Sequence, residues 1–323
     1  MNKLFKDLIS IGLFVWIVAM IPVLTNSGVT LNFVMMALYA CLLAQAWNVL
    51  GGFGGQFSFG HALFFGTGAY FQAIAQISWG WNPWIALPCA MLAAGLVGAW
   101  VGALSFRYGL KGSYFALVTL AFAEVFRIVA TSVPFTGAGV GLMLPLQESA
   151  ANMQFANRSG FIWLMLGLVT LALCVTAWLK ASRFGAYLQA VRDNEDAARA
   201  VGVNPLRVKL VATILSGGLM GAGGAFYVQV FQYIDPGIAF GSHTSVEALV
   251  GAIVGGLGTL WGPLLGAVSL HILADLTRNL FGQLPGINMV IYGVVLIGIV
   301  MFLPRGIAGL GTITPDRKST RLN

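Results

Sequence analysis

The chain has 323 residues, of which 58% are hydrophobic and 8% charged, with a mean hydropathy of +0.86 and a net charge of +7. A soluble domain carries about 25% charged residues, so this composition excludes a water-soluble fold and makes lipid the main solvent. The 42 glycines show no Gly-X-Y period, which excludes collagen; small residues instead let membrane helices approach closely. The expected fold is therefore all-α and polytopic, not a barrel of alternating strands. Basic residues facing the cytoplasm account for the positive charge, so no nucleic-acid partner is implied.

A membrane span needs about 20 apolar residues. The first apolar run, 8–24, follows Lys3 and Lys6. It resembles a signal peptide, but no clear small-x-small cleavage site follows, so it is expected to remain as the first helix. Further runs cover 31–50, 57–78, 84–106, 113–131, 160–180, 208–231, 245–281 and 287–303. The run 245–281 is long enough for two short helices that break at GGLGTLWGP, 255–263. About ten transmembrane helices are expected, with eight or nine as alternatives, in one permease-like domain over 1–310. The polar segment 311–323 reads as a cytoplasmic tail. Lys and Arg set the orientation: Lys3 and Lys6, Arg107 and Lys111, the segment 181–209, and Arg305, Arg317, Lys318 and Arg321 fall inside. The loop 132–159 falls outside, and DPG at 235–237 reads as an outer turn. Cys41, Cys89 and Cys174 lie in apolar runs and read as packing residues.

No catalytic set is evident. The chain has no G-x-x-x-x-G-K-[ST], no H-E-x-x-H and no C-x-x-C, and His61, His243 and His271 lack metal-ligand spacing. No enzyme activity, cofactor or metal is expected in this chain. GGFGGQFSFGHALFFGTGAY, 51–70, is more informative. Its glycines weaken a helix, and Gly52, Gln56, Ser58 and His61 lie in or beside the break. Backbone freed inside a membrane is tolerated only against protein or a water cavity. The segment therefore reads either as a discontinuous helix lining a substrate path or as a cytoplasmic turn before a close-packed helix. In LKGSYFALVTLAFAEVFRIV, Glu124 and Arg127 are three apart and can pair on one helix face. They line an outer vestibule, form a structural ion pair, or leave Arg127 snorkelling to the headgroups. Glu247 and Asp275 have no evident partner. GG-x-G recurs at 51 and 255, but in a chain this rich in glycine the echo carries no weight alone.

The segment ASRFGAYLQAVRDNEDAARAVGVNPLRVKL, 181–210, concentrates Arg183, Arg192, Asp193, Glu195, Asp196, Arg199, Arg207 and Lys209. RFGAYLQAVR can continue the preceding span as helix into water. DNEDAARAVG reads as a second short helix. Asp193 or Asn194 caps it, Glu195 and Asp196 suit its N-terminal dipole, and Gly202 ends it in a left-handed turn. Asn204-Pro205 forces an extended step. Ala197, Ala198 and Val201 form a small apolar face. Composition alone leaves a docking helix and an ordinary positive-inside loop equally open.

Four blocks, 51–70, 110–127, 183–210 and SVEALVGAIVGGLGTLWGPLLGA at 245–267, together resemble the permease subunits of branched-chain amino acid ABC importers. The second block and AVRDNEDAARAVG are similar to the larger of the two permease types. The resemblance implies a second permease subunit, two cytoplasmic ATP-binding subunits that hold ATP-Mg, a periplasmic solute-binding protein, and residence in a bacterial inner membrane. It also implies that Arg192, Asp193, Asn194, Glu195, Asp196, Ala200 and Gly202 belong to a segment that docks on the ATPase. GGFGGQFSFGH departs from the less glycine-rich start and SLGH common in the family. Related permeases serve urea, amides and other amino acids, and fold does not fix cargo. A channel or ion-coupled transporter is the alternative; Glu124, Glu247, Asp275, His61 and His271 would be its titratable groups, but they form no evident relay.

Overall fold

A computed structural model describes residues 3–281, together with 290, 291, 293, 294, 297, 298, 301 and 306–312. Its helices are α1 (Lys3–Leu24), α2 (Gly28–Asn48), α3 (His61–Ile77), α4 (Pro83–Arg107), α5 (Gly112–Ser132) and α6 (Arg158–Ala181). Then come α7 (Arg183–Asp193), α8 (Glu195–Ala200), α9 (Pro205–Phe231), α10 (Pro236–Phe240), α11 (Ser242–Gly255) and α12 (Gly262–Phe281). Two short strands, β1 (Leu142–Met143) and β2 (Tyr233–Ile234), pair antiparallel.

One device starts three of these helices. In Asn82-Pro83, Asn204-Pro205 and Asp235-Pro236 the first side chain caps the new helix and the proline occupies its first turn. Proline has no N–H to leave orphaned there, and its fixed φ suits the helix. The third instance makes DPG the start of a one-turn helix, not the plain turn expected.

The core forms where α9 packs between α3 and α4. A side chain on Gly68 would strike the Gly221 backbone, and one on Gly224 the Phe65 carbonyl. These helices therefore meet backbone to backbone, the use of small residues that the composition implied. Large side chains fill the rest: Trp47, Phe53, Phe64, Phe65, Phe115 and Phe226 are buried almost completely. Cys41 is buried, and all three cysteines are free.

Among the described residues, seven helical stretches are long and apolar enough to cross a membrane: α1, α2 with its π-turn extension, α4, α5, α6, α9, and α10 with α11. The expected number was about ten. Of the remaining candidates, α3 has only 17 residues, and α12 carries His271, Asp275 and Arg278, with Asp275 accepting from Asn279. The run 287–303 and the tail 311–323, apart from 311 and 312, lie largely outside the described residues. The run 245–281 breaks as expected, over 256–261, into the hairpin of α11 and α12.

The bundle has two distinct ends. At one, Lys111 meets Glu195, Arg192 meets Gly52, and Gly306 abuts Gly255 and Gly256. At the other, Trp84 and Asn82 donate to the 150–151 carbonyls, and β1 from the 133–157 connection pairs with β2.

Candidate functional site

The charged segment folds as two capped helices, and one expectation fails. RFGAYLQAVR does not continue α6. Ser182 is extended, and its side chain accepts from Gly185 N to start α7. Gly185 is pressed so closely on the Leu179 carbonyl that a Cβ there would overlap it. The chain thus bends at Ser182 and α7 lies back along the bundle end. In α8, Asn194 rather than Asp193 is the cap, accepting from Asp196 N and Ala197 N at 3.1 and 2.9 Å. Gly202 has φ +89 and donates to Arg199 O, while Val203 donates to Ala198 O. Those two bonds satisfy the helix-end carbonyls that water would otherwise hold.

The anchorage of α8 is ionic. Glu195 accepts from Lys209 Nζ at 2.7 Å and from Lys111 Nζ at 3.2 Å, with Arg199 at 3.4 Å. Lys209 is buried and lies over the Phe106 ring at 5.3 Å. Burial pushes the Glu195 carboxyl up, but the hydrogen bonds and charges of Lys209 and Lys111 outweigh it and hold the group below its ordinary value. A cleft of ≈ 370 Å³ opens beside it, lined by residues including Phe106, Glu195, Arg199, Val203, Pro205 and Lys209. Ala198 turns inward, whereas Ala197, Ala200 and Val201 are exposed, Val201 by 79%. The apolar face expected of Ala197, Ala198 and Val201 is thus split, and Ala200 takes the place of Ala198 on its outward part.

The second cluster joins the two glycine breaks. After Asn48 the helix widens into a π-turn, Val49–Phe53, and 54–60 runs buried or half-buried apart from Phe57 and Phe59. Freed backbone groups are met by protein, as burial in a membrane requires. Trp47 Nε1 donates to Ser58 O at 2.9 Å, and Gln56 N to Leu50 O at 3.1 Å. Asn48 spans the two breaks: its Oδ1 accepts from Gly258 N at 2.8 Å, and its Nδ2 donates to Thr259 O at 3.1 Å and to Gln45 Oε1 at 3.2 Å. Gln45 in turn donates to Leu260 O at 2.7 Å. A methyl on Gly52 would lie 2.6 Å from Gly258 N. The recurrent GG-x-G stretches are therefore packed against each other. Arg192 of α7 completes the cluster, with Nη1 donating to Gly52 O at 3.0 Å and its stem against Gly55, whose φ is +63.

Of the expected pathway residues, Gly52, Gln56, Ser58 and His61 belong to this cluster and are buried. Ser58 Oγ accepts from Gly60 N, and Gln56 Nε2 donates to Gly54 O. His61 Nε2 is 2.9 Å from Ser216 Oγ, which spends its proton on Ala46 O, so the histidine is the donor. Glu124 and Arg127 are separate. They pair with each other on the outward face of α5, Arg127 Nε lying 2.9 Å from Glu124 Oε2. Gln45, Asn48, Ser216, Lys111 and Lys209 were missed as site residues. Gln45 and Asn48 had a signal, two amides three apart at the end of an apolar helix, with a double glycine beginning three residues after Asn48.

A family model described as the permease component of branched-chain amino acid transport systems matches residues 29–300. LivM of Escherichia coli K12, a high-affinity branched-chain amino acid transport system permease protein, is 27% identical over 88% of this chain and 71% of its own. LivH of the same strain is 26% identical over 88% of this chain and 94% of its own. The nucleoside ABC transporter permease protein NupC of Lactococcus lactis is 30% identical over 44% of this chain and 47% of its own. No solved structure matches the chain. With a match over most of its length, the chain belongs to the family of branched-chain amino acid transport permease components.

Proposed function

We propose that the chain is one of two permease subunits in an ATP-binding-cassette importer that carries branched-chain or similar aliphatic amino acids across a bacterial inner membrane. Two cytoplasmic ATPases supply ATP-Mg and a periplasmic binding protein delivers cargo. On this reading the N-terminal end of α1 lies in the cytoplasm. The end that carries α7, α8 and 306–312 then faces the cytoplasm, in keeping with the excess of Lys and Arg there.

The observation that carries this reading is the construction of α8. It is capped at both ends, exposes Ala197, Ala200 and Val201, and is tied through Glu195 to α9 and to the start of α5. A solvated loop needs none of these devices, whereas a helix pushed by another protein needs all of them. Movement of α8 would reach the two breaks through Arg192, and alternating access would follow.

Purification of the tagged chain with its neighbours tests the assignment, because an ATPase should co-purify. Ala200→Pro should abolish ATP-driven uptake and co-purification while the protein still inserts. Normal uptake by that variant would remove α8 from the docking role. Binding measurements on the delivery protein decide between aliphatic amino acids and other small polar cargo.

A further inference from the structure

We infer that the outward face of α5 between Leu120 and Ile128 is a transient binding site for cargo, with Glu124 and Arg127 taking the zwitterionic head group of an amino acid. The inference deepens the importer reading and rests on it.

The starting point is where the pair lies. Glu124 is twelve residues past Gly112 and eight short of Ser132, or about 18 Å and 12 Å from the helix ends at 1.5 Å per residue. Glu124 is more than two turns from either end of α5, whereas both members of every other ion pair among the described residues lie within little more than one turn of a helix end. Yet the side chains of Glu124 and Arg127 are 52% and 38% exposed. A membrane helix that turned them to lipid would leave them unsolvated, so water or protein must cover this face.

Snorkelling does not resolve the problem. The nearer helix end lies ahead of Arg127, at Ser132, but the guanidinium reaches backwards and donates through Nε and Nη2 to both Glu124 oxygens. The pair is thereby neutral overall but offers separate positive and negative poles. An amino acid zwitterion has the same two poles. Its ammonium can replace Arg127 on Glu124 while its carboxylate accepts from Arg127, and the site stays neutral throughout.

The surroundings suit the rest of such a molecule. Leu117, Leu120, Val125 and Ile128 are exposed by 61, 36, 53 and 53% along the same outward side, and give an aliphatic side chain an apolar wall. The internal Glu124–Arg127 bond competes with cargo, so binding is weak enough to release, as a permeation path requires.

The test uses the complete complex in proteoliposomes with its binding protein, and L-leucine as cargo. In a background lacking Cys41, Cys89 and Cys174, Val125→Cys and Ile128→Cys should react with a charged, membrane-impermeant thiol reagent. Reaction should slow at least threefold during leucine turnover. Absence of reaction at both positions would mean lipid or a sealed subunit contact and would overturn the proposal. Glu124→Gln, Arg127→Gln and the double variant should each lower leucine uptake at least tenfold in complexes that still co-purify with the ATPase. A merely structural ion pair predicts that the double variant recovers, because no unpaired charge is left; such recovery would also overturn the proposal. If the unsubstituted complex shows no ATP-driven uptake, the importer reading itself fails, and the two failures are distinct.

Discussion

Arg192 donates to the carbonyl of Gly52 at 3.0 Å, joining α7 to the first helix break. A Cβ on Gly258 would lie 3.3 Å from the same Nη1, so the second break is also within its reach. No other side chain of α7 or α8 has a hydrogen bond to either break among the described residues. A hydrogen bond from a charged group contributes about 1.5–3 kcal/mol, enough to change a coupling equilibrium roughly tenfold or more. Arg192→Ala should therefore lower the uptake achieved per ATP hydrolysed by about tenfold, and Arg192→Lys should recover part of it. Parallel measurement of uptake and phosphate release in proteoliposomes checks this; an unchanged ratio in Arg192→Ala would exclude the contact from coupling.

The contact of Gly52 with Gly258 predicts an intolerance of side chains. A methyl on Gly52 meets the Asn48 amide and the Gly258 backbone nitrogen, and backbone cannot swing aside. Gly52→Ala should break the Asn48 bonds to Gly258 and Thr259 and cost about 2–4 kcal/mol through buried groups left unpaired. Gly167 on α6 has open space around its Cβ position. There Gly→Ala should be neutral or stabilising by up to about 1 kcal/mol, because alanine loses less backbone freedom in a helix. Thermal unfolding of the two purified variants in detergent gives the comparison. Equal melting temperatures would mean that the breaks are not packed as described.

Much of this arrangement is visible in local sequence. The cap at Asn194, the extended step at Asn204-Pro205, the left-handed Gly202, the pairing of Glu124 with Arg127 and the break in 245–281 depend on residues within a few positions of one another. The bend at Ser182 was missed because it depends on Gly185 meeting the Leu179 carbonyl, and Ser182-Arg183 alone does not differ from ordinary helix. The bonds from Arg192 to Gly52 and from Asn48 to Gly258 join residues 140 and 210 positions apart. Only helix packing brings them together. The GG-x-G echo held part of that information, but a periodic match among 42 glycines has no meaning until the two copies are shown to touch. The number of crossings is less legible: seven helices among the described residues are long and apolar enough to span, and α3, with 17 residues, falls short of that length, so length and hydropathy alone do not reach the expected ten.

Glu195 makes the anchorage of α8 dependent on pH. Its carboxyl is held below the ordinary value of about 4.3 by Lys209 and Lys111 against the opposing effect of burial. A depressed folded-state value means that the stabilisation is complete above the ordinary value and is lost as pH falls through the lower, folded one. Hydrogen exchange of residues 195–209, corrected for intrinsic rate, should therefore stay slow from pH 7 to about 5 and quicken in stronger acid. Glu195→Gln should be fast at every pH, because buried Lys209 loses its counter-charge, at a cost of about 3–5 kcal/mol. Glu195→Gln with Lys209→Met should be slower than Glu195→Gln alone. If the double variant exchanges as fast as the single one, the anchor is not ionic.

Gly202 sets where α8 stops. With φ +89 it directs its own N–H to Arg199 O and that of Val203 to Ala198 O, and nothing lies within 4 Å of its Cβ position. Space is therefore not the constraint; the backbone conformation is. A side chain here costs about 1–2 kcal/mol, more for a β-branched one. Gly202→Ala should weaken uptake several-fold, Gly202→Val should weaken it further, and Gly202→Asn should stay near the parent, because asparagine tolerates the left-handed region. Uptake rates of the three variants at equal membrane abundance test the order. Should Gly202→Asn prove as impaired as Gly202→Val, side-chain bulk against a docked partner, and not helix termination, would be the property that Gly202 supplies.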